Sequence, residues 1–236
     1  MKQPGKFLTA EWRSLAMLNY QVDAAILKPH VPAGTELDSF DGVFYISMVG
    51  FMFQRTRVLG APLPGHQDFE EVNLRFYVRR RHPDGWNRGV VFLKEIVPKY
   101  AIAVLARGLY NENYVTMPMR HRADGNRVEY GWLYSGNWNR LGVEIAGEPG
   151  LAAAGSLEEF ITEHYWGYTR QRDGSSLEYR VEHVPWRLWQ TSRAQLLCDA
   201  AKLYGPEFAE ALGVAPRSAF LAEGSAVAVY RGVRIT

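Results

Sequence analysis

The sequence predicts a β-rich α+β fold in which an antiparallel sheet closes, or nearly closes, on itself. Three observations support this prediction. Within residues 69–79, the positions from Glu71 to Arg79 alternate strictly between polar and apolar side chains, which is the period of a strand with two different faces. Hairpin signals connect many segments, and the clearest is Asp124-Gly125. Helical signals are confined to about three short segments.

The first half of the chain combines one short helix with longer strands. Residues 23–30 predict a helix that ends at prolines. Residues 43–58 predict a strand that is apolar on both faces, with a bulge or bend at Gly50. The alternating strand follows after a loop. Residues 89–97 and 100–107 are predicted as further buried strands.

The second half contains the other two predicted helices. Ser156, followed three residues later by Glu159, forms a capping box that predicts a helix over about 157–165. A further helix is predicted to begin at Pro206 and to stop at Gly213. Strands are predicted over 140–147, 176–183, 186–196 and 226–235.

Bulk properties limit the classes of protein to which the chain can belong. No linker, repeat or low-complexity tract interrupts it, so a single domain over residues 1–236 is predicted. The longest apolar runs are shorter than the roughly 18 residues of a membrane span, and the N-terminus does not have the pattern of a signal peptide. The single cysteine, Cys198, indicates a reducing, cytoplasmic location. A net charge of +2 argues against nucleic-acid binding.

The polar face of the alternating strand is the strongest candidate for a functional site. Glu71, Asn73, Arg75 and Tyr77 follow one another on this face, and every one of them forms hydrogen bonds. Such a face either meets water on an edge strand or lines a polar pocket. The strand pattern alone does not choose between these two alternatives.

Four segments, in a fixed order, carry a resemblance to a known family. They are NYQVDAAILKPHVPAGTELDSFDGVFYISMVGF, FEEVNLRFYV, VEHVPW and GSAVAVYRG. In this series the chain resembles the YqjF-like family of bacterial proteins, which is grouped with the acetoacetate decarboxylase-like superfamily. The resemblance implies a β-cone or barrel with a small-molecule pocket inside it. The resemblance therefore favours the alternative in which the polar face of the alternating strand lines a pocket.

The resemblance also implies positions for the amines of acetoacetate decarboxylase. The pocket of that enzyme holds a Schiff-base lysine, a neighbouring lysine and a glutamate. Aligning residues 100–115 with the segment that carries the lysines puts Tyr114 at the Schiff-base position and Val115 beside it, while Glu71 falls where the glutamate would be. Tyrosine cannot form an imine, and no lysine occurs between residues 100 and 201. Imine-based decarboxylation is therefore not expected at this position.

The remaining polar residues suggest roles in a pocket of this kind. Glu71 is predicted to be a general base if desolvation raises its pKa. Arg75 is predicted to bind a carboxylate or enolate oxygen through its planar fork. Asn73, Tyr77 and Tyr114 are candidate hydrogen-bond partners, with Tyr114 also a candidate catalytic residue. The alternative is that Glu71 and Arg75 simply pair with each other.

Lys94 and His183 are additional candidates for ligand binding. Lys94 lies in a predicted buried strand beside Glu95, either as a snorkelling or ion-paired side chain or as a relocated amine nucleophile. His183 is either bonded to the backbone and packed near Trp186, or transfers protons. No HExxH, HxH or glycine-rich phosphate motif occurs, so neither a metal nor a cofactor is predicted.

These features lead to three hypotheses about function. The first is a small-molecule-binding protein that catalyses a metal-free acid/base reaction, of the lyase or hydrolase type, on a small organic acid or carbonyl compound. The second is a non-catalytic protein that binds its ligand in the same pocket. The third is Schiff-base decarboxylase or aldolase chemistry through Lys94. Neither nucleic acid nor membrane is predicted as a partner, and the apolar composition permits a homo-oligomer.

Overall fold

Strands make up most of the protein, which a computed structural model describes over residues 4–235, apart from the side chains at positions 105, 106 and 109. The strands are β1 (Lys6–Val22), β2 (Glu36–Leu37), β3 (Phe44–Val58), β4 (Ala61–Pro62), β5 (Phe69–His82), β6 (Gly85–Val97), β7 (Tyr114–Thr116), β8 (Met119–Asp124), β9 (Arg127–Tyr134), β10 (Asn137–Leu151), β11 (Trp166–Arg170), β12 (Ser176–Glu182), β13 (Arg187–Leu197), β14 (Ser218–Tyr230) and β15 (Val233–Ile235). The helices are α1 (Ala24–Leu27), a 3₁₀ helix (Lys28–His30), α2 (Tyr100–Tyr110), α3 (Leu157–Thr162), α4 (Ala200–Tyr204) and α5 (Pro206–Leu212). Within residues 4–235, every helix is too short or too polar to cross a bilayer.

Seven strands of the sheet close into a ring. The order β14–β1–β3–β5–β6–β11–β12 runs through neighbouring pairings, and a pairing of β12 with β14 completes the circle. Most of these pairings are antiparallel, but β6 pairs in parallel with β11 and also with the short strand β7. The predicted closed sheet and the β-rich fold class are confirmed, and the sheet is mixed because of these two parallel contacts.

An outer layer continues from β14 through β13, β10, β9 and β8 and covers one side of the ring. Tyr130 of this layer donates a hydrogen bond to the Ser14 carbonyl at 2.8 Å. A Cβ atom at Gly50 would lie 2.7 Å from the Tyr130 ring, so glycine is needed there for close approach. The bulge predicted at Gly50 lies instead in β1, where Ser14 and Leu15 together face Phe51 and Ser14 has a φ of 54°.

The two faces of β5 pack against two different cores. Its even-numbered apolar side chains enter an outer core, which lies between the ring, the outer layer and helices α4 and α5. Its odd-numbered side chains face the inner side of the ring, where Tyr77 and Phe69 join a second, inner core that is rich in aromatic side chains. The predicted alternation therefore separates a packing face from a face that points into the ring.

The segment at residues 100–107 corrects one prediction, because it forms helix α2 and not a strand. Alanine has the highest helix propensity, and Ala101 and Ala103 lie in its first turns. The helix buries Ile102 and Ala103 in the inner core and leaves Tyr100 exposed. It ends at Asn111, whose left-handed φ of 55° turns the chain back toward the ring.

Several local predictions are confirmed by the hydrogen bonds of the caps and turns. The Asp23 side chain caps α1, and the Ser156 hydroxyl accepts a bond from the backbone N–H of Glu159 at 3.2 Å to cap α3. Asp124 pairs with Arg127 across the predicted hairpin turn between β8 and β9. The long first strand β1 and helix α4 were not predicted from the sequence, and the observed helices outnumber the three that were expected.

Candidate functional site

The ring encloses a cavity of about 130 Å³. Its aromatic wall is formed by Phe7, Trp12, Phe51, Phe53, Phe69, Phe92, Trp166 and Trp186. Its polar side chains are Glu71, Asn73, Arg75, Glu95, Tyr110, Glu112, Tyr114, Thr162, His164, Tyr179 and His183. An apolar wall with convergent polar groups is the usual composition of a small-molecule site.

The polar face of β5 points into this cavity and not into bulk water. Glu71 and Asn73 are each 2% exposed, and Arg75 is 9% exposed. Tyr77 shares the face but lies outside the cavity wall, because its hydroxyl is 2.5 Å from that of Ser47 in a buried polar contact. Three of the four predicted side chains on this face therefore reach the cavity.

A bulge in β6 decides which of its side chains enter the cavity. Leu74 pairs with Lys94 whereas Arg75 pairs with Phe92, so that Leu93 is an extra residue. The bulge puts Phe92 into the cavity wall and directs Lys94 to the outer face. There the Lys94 ammonium donates to the backbone carbonyl of Leu203, and burial lowers its pKa. The structure does not bring Lys94 to the cavity.

Three carboxyl groups form the most unusual feature of the site. Glu71 accepts hydrogen bonds from the Asn73 amide and from the Tyr114 hydroxyl, both at 2.9 Å. Glu112 accepts one from the Tyr179 hydroxyl at 2.7 Å. Glu95 lies between Asn73 on β5 and Tyr114 on β7 in the strand register. Among the described residues, no donor contacts its Oε2 atom.

Burial shifts the pKa of each of these carboxyl groups upward. The pKa of Glu71 rises to about 7 and that of Glu112 to about 8, in both cases mainly through desolvation of the charged form. The pKa of Glu95 rises well above its ordinary value, through desolvation and then through repulsion by Glu112 and Glu71. Protons are therefore held on this group of side chains near neutral pH.

A glycine in β11 allows Tyr179 to reach Glu112. Gly167 is the strand partner of Tyr179, and a Cβ atom on Gly167 would lie 2.1 Å from the Cζ atom of the tyrosine. Only a residue without a side chain lets the ring cross β11 in this way. Glu112 itself follows the left-handed Asn111 at the end of α2.

Arg75 is a buried cation without an acidic partner. Its Nη2 atom donates weakly to the Ile161 carbonyl at 3.5 Å and approaches the Met17 sulfur at 3.9 Å. No described residue accepts a hydrogen bond from its Nε atom. The pair of Glu71 and Arg75, considered above as an alternative, is not formed, because Glu71 binds Asn73 and Tyr114. The guanidinium is therefore available to an anion in the cavity.

Two histidines lie near Arg75 on the cavity wall. The His164 side chain is 1% exposed, and its Nε2 atom is 3.4 Å from the Asp38 carboxylate. Burial lowers its pKa to about 4, so the ring is neutral at pH 7. His183 contacts the backbone carbonyl of Val184 and stacks on Trp186 with ring centroids 4.2 Å apart, as the sequence predicts. Burial lowers the pKa of His183 as well.

Six polar residues of the cavity were not predicted as site candidates: Glu95, Tyr110, Glu112, Thr162, His164 and Tyr179. Glu95 carried a usable signal, because a carboxylate inside an apolar strand is rare unless it is paired or functional. Glu112 carried no local signal, since a turn and a neighbouring strand bring it to the site.

Within residues 4–235, no group of three or more His, Cys, Asp or Glu side chains is arranged to hold a metal ion.

Comparison with known proteins identifies the family. Residues 9–226 match the model of the DUF2071 family, which is described as an uncharacterized conserved protein. The uncharacterized protein YqjF of Bacillus subtilis (strain 168) is 29% identical over 191 residues, which cover 78% of this chain and 76% of YqjF. The resemblance to the YqjF-like family is confirmed.

Solved structures with the same fold include enzymes at low sequence identity. Acetoacetate decarboxylase from Legionella pneumophila has a TM-score of 0.71 at 12% identity, over 100% of this chain and 90% of that one. The enduracididine biosynthesis enzyme MppR, complexed with pyruvate, has a TM-score of 0.67 at 13% identity, over 100% of this chain and 92% of that one. An acetoacetate decarboxylase-like enzyme from Sphingomonas wittichii RW1 has a TM-score of 0.67 at 14% identity, over 98% of this chain and 94% of that one. At these identities the likeness shows the fold alone. The chain therefore belongs to the DUF2071 family and has the acetoacetate decarboxylase-like fold.

Proposed function

We propose that the protein binds a small organic acid or carbonyl compound in the cavity of the ring and catalyses an acid/base reaction on it. The observation that carries this proposal is the Arg75 guanidinium, which is buried on the cavity wall without an acidic partner. A buried, unpaired charge is unfavourable unless a ligand compensates it. MppR, which shares the fold, was solved with pyruvate bound, and this oxo acid belongs to the proposed class.

Arg75 would recognise the acid group of the ligand. A guanidinium presents parallel N–H donors that match a carboxylate or an enolate, and each hydrogen bond to a charged group contributes about 1.5–3 kcal/mol. The neighbouring His164 and His183 have lowered pKa values and do not add positive charge at pH 7. Discrimination in favour of an anion would therefore come mainly from Arg75.

Glu71 would act as the base. With a pKa of about 7, it is partly ionised and partly protonated at neutral pH, which suits a group that takes up and returns protons. The ionised carboxylate would remove a proton from the carbon beside the ligand carbonyl, and the C–H electron pair would form an enolate. Arg75 would stabilise the charge of the enolate oxygen. Protonated Glu71 would then return the proton, or the enolate would expel a leaving group from its β-carbon.

Binding of oxo acids to an Arg75→Met variant tests this proposal. Phenylpyruvate, acetoacetate and pyruvate are suitable probes, because they combine a carbonyl with a carboxylate and differ in apolar area. Calorimetric affinity for at least one of them is expected to fall about tenfold to a hundredfold in the variant. The variant should keep or gain thermal stability, since methionine removes a buried, unpaired charge. Equal affinities in wild type and variant would contradict the role of Arg75.

A control arginine and a second variant complete the experiment. Arg80 pairs with Glu178 at 3.4 Å outside the cavity wall, so Arg80→Met should leave probe binding unchanged. Proton exchange at the carbon beside the carbonyl, followed by NMR in D₂O, measures the chemistry itself. Glu71→Gln should still bind the probe but should lose catalysed exchange. Binding without exchange in the wild type would instead favour a non-catalytic binding protein.

A further inference from the structure

Asn73 and Glu95 face each other across β5 and β6 on the inner side of the ring. The Nδ2 atom of Asn73 donates a hydrogen bond to Glu71. The carbonyl oxygen Oδ1 of Asn73 therefore lies on the opposite side of its amide group. Neither Asn73 Oδ1 nor Glu95 Oε2 has a hydrogen-bond partner among the described residues. Both residues are 2% exposed and line the cavity. Two neighbouring, buried oxygen atoms without hydrogen-bond partners leave this pair open to a donor group on the ligand, which would bind Asn73 Oδ1 and the ionised form of Glu95.

The charges around this pair indicate which kind of donor fits. Glu71 and Glu112 lie close enough to repel a negative charge on Glu95. No lysine, arginine or histidine in the described part of the chain forms an ion pair with any of these three carboxyl groups, and Arg75 acts on Glu71 only from beyond ion-pair distance. Lys94, the cationic residue nearest in sequence, faces the outer core. A cation would relieve the repulsion, so a positively charged nitrogen complements this end of the cavity better than a neutral hydroxyl.

We propose, as an extension of the proposed function, that the ligand carries a protonated nitrogen besides its acid group and that the Asn73–Glu95 pair binds this nitrogen. Arg75, which would hold the acid group, lies two residues from Asn73 on the same face of β5. This separation corresponds to roughly 7 Å between Cα atoms along a strand. Phe92, the partner of Arg75 in β6, also lines the cavity and would contact the apolar part of the ligand between its two charged ends.

Matched pairs of small acids separate this inference from the proposed function. One pair is 4-(aminomethyl)benzoate and 4-(hydroxymethyl)benzoate, and the other is 5-aminopentanoate and 5-hydroxypentanoate. Within each pair the acid and the spacer are the same, and only the terminal nitrogen is replaced by oxygen. In calorimetry at pH 8, at least one of the two amino compounds is expected to bind about tenfold or more tightly than its hydroxy counterpart.

Variants assign the preference to a residue. Glu95→Gln keeps the shape of the side chain and removes its charge, so the preference for the amino compound should disappear. Glu178→Gln is the matched control, because Glu178 is also buried but binds Arg80 and Tyr168 away from the cavity. The control should keep the full preference. A preference that survives Glu95→Gln would overturn the inference.

Proton release in the wild type provides a test that does not depend on the folding of a variant. The titratable or charged groups around the pair are Glu71, Arg75, Glu112, Tyr114 and Tyr179. A cation bound among these groups favours the ionised form of the carboxyl groups, so binding of the amino compound at pH 7 should release protons from them. The released protons are measured by calorimetry, because the heat of binding then differs between phosphate and Tris buffers. Binding of the hydroxy counterpart should release fewer protons.

The outcomes distinguish the two proposals. Equal affinities of the amino and hydroxy compounds in both pairs, with equal proton release, would overturn the inference that the ligand carries a protonated nitrogen. The proposal that Arg75 binds the acid group would remain intact. If no acid of either pair and no oxo acid binds, the proposed function fails together with this inference.

Discussion

Burial without an ion pair distinguishes Glu71, Glu95 and Glu112 from Asp38 and Glu178, which are buried beside arginines. Asp38 is also buried, but Arg88 donates to it at 2.6 Å and the His164 ring lies 3.4 Å from it, and together these neighbours outweigh desolvation and lower its pKa. The three cavity glutamates have neutral donors only, so desolvation dominates and their pKa values rise. The same physical effect that stores protons in the cavity also destabilises the folded protein when those protons leave.

Stability is therefore expected to depend on pH in a specific window. The folded-state pKa values of Glu71 and Glu112 lie above the ordinary value of 4.5, so the folded state binds more protons than the unfolded state up to about pH 8. Their contribution is complete below pH 4.5 and is lost as pH rises. His164, whose pKa is lowered from 6.5 to about 4, acts in the opposite direction, but only below about pH 6.5. The free energy of unfolding should fall by roughly 1–3 kcal/mol between pH 6.5 and 8.

Urea denaturation at several pH values between 6.5 and 8 measures this dependence. Glu112→Gln should flatten the decline, because the amide cannot ionise. Glu178→Gln, which changes a buried carboxyl group outside the cavity, should leave the decline in place. Stability that rises with pH across this window would show that the cavity carboxyl groups are ionised in the folded protein.

The bulge in β6 and the glycine in β11 are the strand features that assemble the site. The bulge at Leu93 shifts the alternation of β6, so that Phe92 and Glu95, three residues apart, both line the cavity while Lys94 turns outward. Gly167 leaves space for the Tyr179 ring on its way to Glu112. Both features act through backbone geometry, and neither changes the chemistry of the residue concerned.

Gly167→Ala is expected to damage this arrangement. The new methyl group would overlap the Tyr179 ring, which is part of a packed interior, so we expect a loss of about 1–3 kcal/mol in unfolding free energy by urea denaturation. The control is Gly150→Ala in β10, where nothing lies within 4 Å of the new Cβ, with an expected change below about 0.5 kcal/mol. In a Tyr179→Ala background, Gly167→Ala should lose most of its effect. Additive effects of the two substitutions would refute a direct clash.

The ring of strands has long ladders on one side and two short seams on the other. β12 pairs with β14 through Val181–Val229 and Glu182–Ala228 only, and β6 pairs with β11 through two residue pairs. By contrast, β1 pairs with β3 and β14 over most of its length. The strands β11 and β12, which carry Gly167 and Tyr179, therefore form the part of the ring with the fewest ladder hydrogen bonds.

We expect this part of the ring to open first. Hydrogen exchange followed by mass spectrometry should show earlier deuterium uptake in β11 and β12 than in β1 and β3, because local opening there breaks fewer backbone bonds. The residues of β14 that pair with β1 provide an internal control and should exchange slowly. An oxo acid that binds in the cavity should slow exchange in β12. Uniform protection around the ring would contradict the two-seam description.

The residues of β5 show how far the amino-acid sequence determined the result. Strict alternation and hydrogen-bonding chemistry identified Glu71, Asn73 and Arg75, and all three line the cavity, because side-chain direction in a strand follows from a period of two. The β-rich fold class, the short helix near residues 23–30 and the cap of α3 were predictable for similar reasons, since they depend on neighbours a few residues apart. The pocket itself required the family resemblance.

Only the tertiary structure decided the rest of the site. The bulge at Leu93 turned Lys94 away from the cavity, which no pattern in VVFLKEIV indicates. Residues 100–107 form a helix although their apolar run suits a strand equally well, and periodicity alone does not distinguish these two alternatives in a short apolar run. Glu112 and Tyr179 are far apart in the chain and meet only because β11 and β12 join the ring. Contacts of this kind depend on sheet closure, a property of the whole chain that local sequence does not encode.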